Sequence, residues 1–267
     1  MMSGGAGTTE GRVQRVLAWG GLFLMIVSVV WWGILPRGRR SARSDEGALG
    51  GPVTRVIIDA GHGGNDSGAM RAGVLEKDLT LDVARRLEQL VRAEGMATTL
   101  TRSGDETMSL GNRAAVANKE RDCVFVSIHF DEGARAAATG VQTFYAARQT
   151  PKTTFATAWL PFFRQVSSTP NNPESESLAG FVQAAVVART QMFDRGITAE
   201  QFYVVTNVRH PAVLVEGGFL SNDSDIAKLK SEEYRQQLAV AISDGIIRYR
   251  KIAGQAQATL ATGVPGG

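Results

Sequence analysis

The sequence predicts an α/β fold, a mostly parallel twisted sheet with helices on both faces, preceded by one N-terminal transmembrane helix. Three observations carry this. Short β-branched and apolar runs alternate with stretches whose apolar residues recur every three or four positions, the strand–helix alternation of a parallel sheet. Several runs stop at Gly, His or an acid, as strands do at the carboxyl edge of such a sheet. Ahead of them, residues 16–35 contain no charged or amide side chain.

At 267 residues, 43% hydrophobic and 21% charged, the composition is globular, with room for one good-sized domain and an appendage. It excludes a wholly disordered, collagen-like or coiled-coil chain. The single cysteine, Cys123, excludes an intrachain disulfide and any multi-cysteine metal knuckle, so a metal here needs His and carboxylate ligands. Arg12, Arg15, Arg37, Arg39, Arg40 and Arg43 against Glu10, Asp45 and Glu46 account for the whole formal charge of +3. Residues 51–267 are therefore neutral overall and give no case for nucleic-acid binding.

In chain order, residues 1–15 form an N-terminal tail. Residues 16–35, VLAWGGLFLMIVSVVWWGIL, would span roughly 30 Å as a helix, the thickness of a bilayer's hydrocarbon core. The run is too long for a cleaved signal peptide, and Trp31 and Trp32 sit where an interfacial aromatic belt belongs, so an uncleaved anchor is expected. The arginines after the span outnumber those before it, which by charge alone puts the C-terminal side in the cytoplasm. Residues 36–52 are a polar, Gly- and Ser-rich linker, and the main domain is expected over 53–252.

Within it, Val53–Asp59 reads as a buried strand ending in the glycine-rich AGHGG. Asp78–Glu94 repeats Leu79, Val83, Leu87, Leu90 and Val91 at helical spacing, and Gly95 supplies a left-handed cap. Met96–Thr101 is a strand, Ser109–Lys119 a short helix, Cys123–His129 a central strand with Cys123 a buried small hydrophobe, and Gly140–Ala146 an alternating strand. Residues 148–177 are an irregular insert, polar and Pro-rich at its ends yet holding Phe155, Trp159, Leu160, Phe162 and Phe163. Leu178–Phe193 reads as a helix, Phe202–Thr206 and Ala212–Val215 as strands, and Glu232–Arg250 as a long amphipathic helix. Residues 253–267 are expected to be a disordered tail.

Strand ends carry the candidate chemistry: His62 after the first strand, His129 closing the central one, Glu216 closing a late one. The glycines around His62 leave room for a close approach. Two imidazoles and a carboxylate are a recurrent zinc set that leaves one position open, and Glu76 can be delivered by the loop that carries His62. On spacing alone Glu76 reads first as an ordinary acid favoured at a helix N-terminus. Glu216, after four apolar residues and before two glycines, is a general-base candidate, the alternative being an ion-pair partner for Arg113 or Arg195. His210 fits no ligand position and reads as structural or at a cleft rim.

The segments IIDAGHGGNDSGA, GVLEKDLTLDVA, TLTRSGDETMSLGNRAAVAN, FVSIHFD, GVQTFY, RGI and PAVLVEGGFLSN, in this order over about residues 53–250, resemble the zinc-dependent N-acetylmuramoyl-L-alanine amidases of the Amidase_3 family of cell-wall hydrolases. The resemblance implies one Zn²⁺ held by His62, Glu76 and His129, and Glu216 as the catalytic acid/base. It implies hydrolysis of the amide joining N-acetylmuramic acid to L-alanine in peptidoglycan, with release of stem peptides during wall remodelling and daughter-cell separation. A substrate outside the cytoplasm opposes the orientation that charge suggests. It implies an inner-membrane, single-pass protein with its catalytic domain on the periplasmic side and residues 1–15 in the cytoplasm. Some relatives carry a helix where residues 148–177 lie, covering the site until an activator displaces it, so a protein activator acting on this insert is expected. Ala60 stands where many relatives have proline, and Asp131 where asparagine is common, adding negative charge near the site. Another zinc hydrolase of the envelope, a peptidase or deacetylase, and a catalytically silent wall-binding scaffold remain alternatives.

Overall fold

A computed structural model describes residues 52–131, 138–149 and 172–262, with backbone alone at residue 131 and from 256 onward. The expected tail and anchor at residues 1–35, the linker up to residue 51 and the aromatic core of the insert, residues 150–171, lie outside the described residues, as does the Asp131 side chain. Among the described residues no helix is long and apolar enough to cross a membrane.

The strands are β1 (Arg55–Ala60), β2 (Met70–Arg71), β3 (Val74–Leu75), β4 (Ala97–Leu100), β5 (Cys123–Asp131), β6 (Val141–Tyr145), β7 (Asp194–Ala199) and β8 (Ala212–Phe219). The helices are α1 (Glu76–Ala93), α2 (Leu110–Lys119), α3 (Pro173–Thr190), α4 (Tyr203–Thr206), α5 (Asp223–Lys230) and α6 (Glu232–Thr262). Six strands form one sheet in the order β4-β1-β5-β8-β6-β7. The first four run parallel. β6 is antiparallel to β8, and β7 is parallel to β6. Inverting β6 and β7 brings their starts, not their ends, to the edge where β1, β5 and β8 finish.

Alternation along the strands separates two cores. Val56, Ile58, Val124, Val126, Ile128, Val213 and Val215 face α1, α3 and α6, whose Leu79, Val83, Leu87, Leu178, Val182, Leu238, Ile242 and Ile246 are buried against them. Ile57, Phe125 and Leu214 face the opposite way, towards the much shorter α2 and α4 through Ala114, Ala117, Val204 and Val205. Cys123 joins this second core, as expected of a small hydrophobe. Among the described residues, the second face is the more thinly covered.

Helix boundaries follow local chemistry. Gly95 takes φ 74° after α1, the left-handed conformation expected of it. α3 starts earlier than its apolar spacing suggests, because Asn172 caps it by accepting from Ser175 N at 3.2 Å and Pro173 sits in its first turn. Phe202–Thr206 is corrected from strand to the short helix α4. Its β-branched pair, Val204 and Val205, is buried by one helical turn against the sheet. The edge strand is instead Asp194–Ala199, whose mostly exposed residues carry no apolar alternation to mark it. α5 arises from the Asn222 cap, which accepts from Ser224 N and Asp225 N. The disordered tail expected from residue 253 is corrected as far as Thr262, since the Ala-rich stretch continues α6 past Arg250.

Candidate active site

Side-chain alternation decides which strand residues can meet. Asp59, Ser127, His129 and Glu216 share the parity of Ile57, Phe125 and Leu214, so they point to the thin face. His129 and Glu216 are register partners on neighbouring strands, and Gln142 of β6 is the register partner of Glu216 on its other side. A row of three polar side chains therefore crosses the carboxyl edge.

His62 and Glu76 reach this row from the loop after β1. His62 takes φ 59°, a conformation uncommon for a residue with a Cβ, and Gly61 and Gly68 give the crossing room. A Cβ on Gly61 would fall inside the His129 imidazole, and one on Gly68 would lie 2.5 Å from Glu76 Oε2 and 2.6 Å from His62 Cδ2. Glu76 opens α1 and is only 4% exposed. Ala69 N donates to its Oε2 at 2.9 Å and Phe130 N to its Oε1 at 3.0 Å, so the carboxylate is aimed before any ligand arrives.

His62 Nε2 and His129 Nδ1 each lie 3.1 Å from Glu76 Oε1. One ligand atom from each of the three residues lies within 4.8 Å of the others, and the two rings meet edge to face with centroids 4.9 Å apart. Zinc bonds of about 2.0–2.2 Å in tetrahedral array would put ligand atoms roughly 3.3–3.6 Å apart, so donor types and spacing both fit a divalent metal with one position left open. Burial opposes the charge on Glu76, yet hydrogen bonds to His129 and His62 outweigh it and hold the carboxyl well below its usual range. Desolvation likewise opposes a charged His62, and Glu76 and Asp66 outweigh it, lifting the imidazole above its ordinary value.

The support around these residues carries no signature in their spacing. Asp66 Oδ2 lies 2.9 Å from His62 Nδ1, while its Oδ1 accepts from Gly68 N at 3.1 Å. Gly63 and Asp66 exchange backbone hydrogen bonds that fix the turn. A carboxylate on the outer nitrogen of a ligating imidazole sets its tautomer. Buried Asp59 accepts from Thr101 Oγ1 at 2.6 Å, Ser127 Oγ at 2.7 Å and Arg113 Nη1 at 2.7 Å. Arg113 also donates to the carbonyls of Ala60 and His62, each at 2.6 Å, and Arg102, only 2% exposed, donates to those of Ala60 and Gly61. The glycine loop thus rests on two buried guanidinium groups. Arg113, considered from sequence as a partner for Glu216, is committed to Asp59. The available signal was the short separation of Asp66 from His62. The arginines carried none, because surface and core arginines look alike in one sequence.

His210 sits away from the metal residues. Its Nε2 lies 3.1 Å from the Glu120 carbonyl, its own carbonyl accepts from Gln149 Nε2, and desolvation lowers its pKa, so it is structural.

The sequence profile of Amidase_3, N-acetylmuramoyl-L-alanine amidase, matches residues 56–248. The Bacillus subtilis protein YqiI is 38% identical over 194 residues, spanning 73% of this chain and 84% of YqiI. N-acetylmuramoyl-L-alanine amidase LytC of B. subtilis is 34% identical over 194 residues, 73% of this chain but 35% of LytC. The crystal structure of an N-acetylmuramoyl-L-alanine amidase from Clostridium difficile 630 superposes with a TM-score of 0.62 at 32% identity, covering 75% of this chain and 98% of that one. A match over most of the domain, on the same α/β sheet with a His, Glu, His cluster at its edge, places the chain in the N-acetylmuramoyl-L-alanine amidase family.

Proposed function

We propose that the chain hydrolyses the amide between the lactyl group of N-acetylmuramic acid and L-alanine in peptidoglycan, with one Zn²⁺ held by His62, Glu76 and His129. The observation that carries this is the convergence of those three side chains beside Glu216 on the open face of the sheet. Zinc, when bound, supplies Lewis acidity to the scissile carbonyl and to the attacking water. The chain's own residues do the rest. Glu76, locked by two backbone donors, fixes the ligand geometry, and Asp66 holds His62 with Nε2 turned inward. Glu216 accepts the proton of the attacking water and returns it to the departing alanine nitrogen, leaving a lactyl carboxylate and a free peptide amine. The apolar residues before Glu216 hold it on a rigid strand, which favours one orientation of the carboxylate.

Residues 16–35 anchor the chain in the inner membrane, and the catalytic domain lies on the periplasmic side, where the wall is. The aromatic content of the insert, residues 148–177, suits contact with a protein activator. CwlD of Clostridioides difficile, a structural neighbour at 27% identity, was solved in complex with the GerS lipoprotein. Digestion of purified sacculi by residues 50–267, with and without a chelator, tests the reading by mass. New N-terminal alanine that disappears on chelation is expected; acetate release or cleavage within the stem would overturn it in favour of another zinc hydrolase.

A further inference from the structure

The inversion of β6 and β7 has a chemical result at the carboxyl edge. Their first residues, not their last, extend the row His129–Glu216–Gln142, and the next side chain along it is Arg195 at the start of β7. Arg195 Nε donates to Gln142 Oε1 at 3.3 Å, its Nη1 lies 3.5 Å from the Thr139 carbonyl, and its guanidinium carbon stands 4.9 Å from the centroid of the Phe219 ring. Gln142 is itself fixed, since its Nε2 donates to Thr198 Oγ1 at 2.9 Å. The guanidinium is exposed yet held from three sides by neutral groups.

Among the described residues, the other cations around this edge are already engaged. Lys77 pairs with Asp105 at 2.7 Å, Arg71 with Asp223 at 2.7 Å and Arg113 with Asp59 at 2.7 Å, and Arg102 is spent on backbone carbonyls. Arg195 has no carboxylate partner among the described residues. It lies three strands from His129, and strands are about 4.8 Å apart, so its strand stands roughly 14 Å from that of His129. That is the reach of about four extended residues beyond the scissile amide.

Building on the amidase reading, we propose that Arg195, oriented by Gln142, is a substrate-binding residue that grips a carboxylate of the peptide on the leaving-group side of the scissile bond. A peptide attached through its amino end to muramic acid presents carboxylates and no free α-amine. An edge that already holds Glu76, Asp66 and Glu216 would repel such an anion without a fixed cation. The planar fork of arginine suits a carboxylate better than a lysine point charge does.

The test uses two synthetic N-acetylmuramoyl peptides, identical except that the peptide carboxylates of one are converted to carboxamides. Wild type is expected to prefer the free acid by about ten- to a hundredfold in kcat/KM, the scale of one charge-assisted pair. Arg195→Ala should lose that factor on the acid and match wild type on the amide, which also reports that the variant is folded. Arg195→Lys should recover part of the preference, and Gln142→Ala should weaken it. An equal rate on both compounds in wild type, or an undiminished preference in Arg195→Ala, overturns the inference while leaving the amidase reading intact. Failure of wild type to release alanine-terminated peptide from either compound overturns both.

Discussion

Glu216→Gln keeps the size of the side chain and removes its basicity. The three proposed metal ligands are untouched, so turnover should fall by at least about a hundredfold, the low end of general-base contributions, while zinc content measured by atomic absorption stays at one per chain. Loss of zinc together with activity would mean that Glu216 belongs to the ligand set. Asp66→Asn is subtler. The carboxamide can accept from only one of His62 Nδ1 and Gly68 N, both of which now use the Asp66 oxygens. If its amino group faces Nδ1, the imidazole proton moves to the side that should hold metal. Zinc affinity, read by competition with a chromophoric chelator, should drop about ten- to a hundredfold. An unchanged affinity would leave Asp66 as a turn residue only.

At the level of elements, α5 is short but structurally central. Its Asp225 is buried and accepts from Thr139 Oγ1 at 2.6 Å, Gly140 N at 3.0 Å and Phe219 N at 3.1 Å, joining the start of β6 to the end of β8. Asp225→Ala would strand two backbone donors, and at about 1–3 kcal/mol each the variant should lose roughly 3 kcal/mol in urea unfolding, with the slope unchanged. Sequence reading reached the elements whose burial has a period and missed those whose burial does not. Leu79, Val83 and Leu87 announce α1 because they line one face of a long helix. Val204 and Val205 misled because two adjacent β-branched residues satisfy a strand pattern as well as a single buried turn. The edge strand Asp194–Ala199 has one covered side at most, and its residues show no contrast to read. The site was legible where chemistry is rare, since two of only three histidines lie at strand ends. Its supports, Arg102 and Arg113, became visible only when folding placed them under carbonyl oxygens.

For the whole molecule, the cluster of His62, Glu76 and His129 ties the loop after β1, the start of α1 and the end of β5 together. Binding to the folded state alone should stabilise the domain by about 4 kcal/mol at a thousandfold excess of zinc over its dissociation constant. Chelation should therefore lower the melting temperature by several degrees, with recovery on adding zinc back. An unchanged melting curve would show that the three side chains hold no ion. The fold class was readable because alternation of strands and helices is a property of the entire chain. The antiparallel pair was not, because strand direction depends on connections that carry no residue signature.

The boundary between β5 and β8 separates two inheritances within one catalytic edge. Every group assigned to holding the ion lies on the amino-terminal side of that boundary, between His62 and His129. Gln142, Arg195 and Glu216, to which the proposals give the handling of water and peptide, lie on the other. Under the proposed roles, substitutions on the second side should alter peptide preference without retuning ion affinity, and the reverse, as if the two duties were written on separate pages.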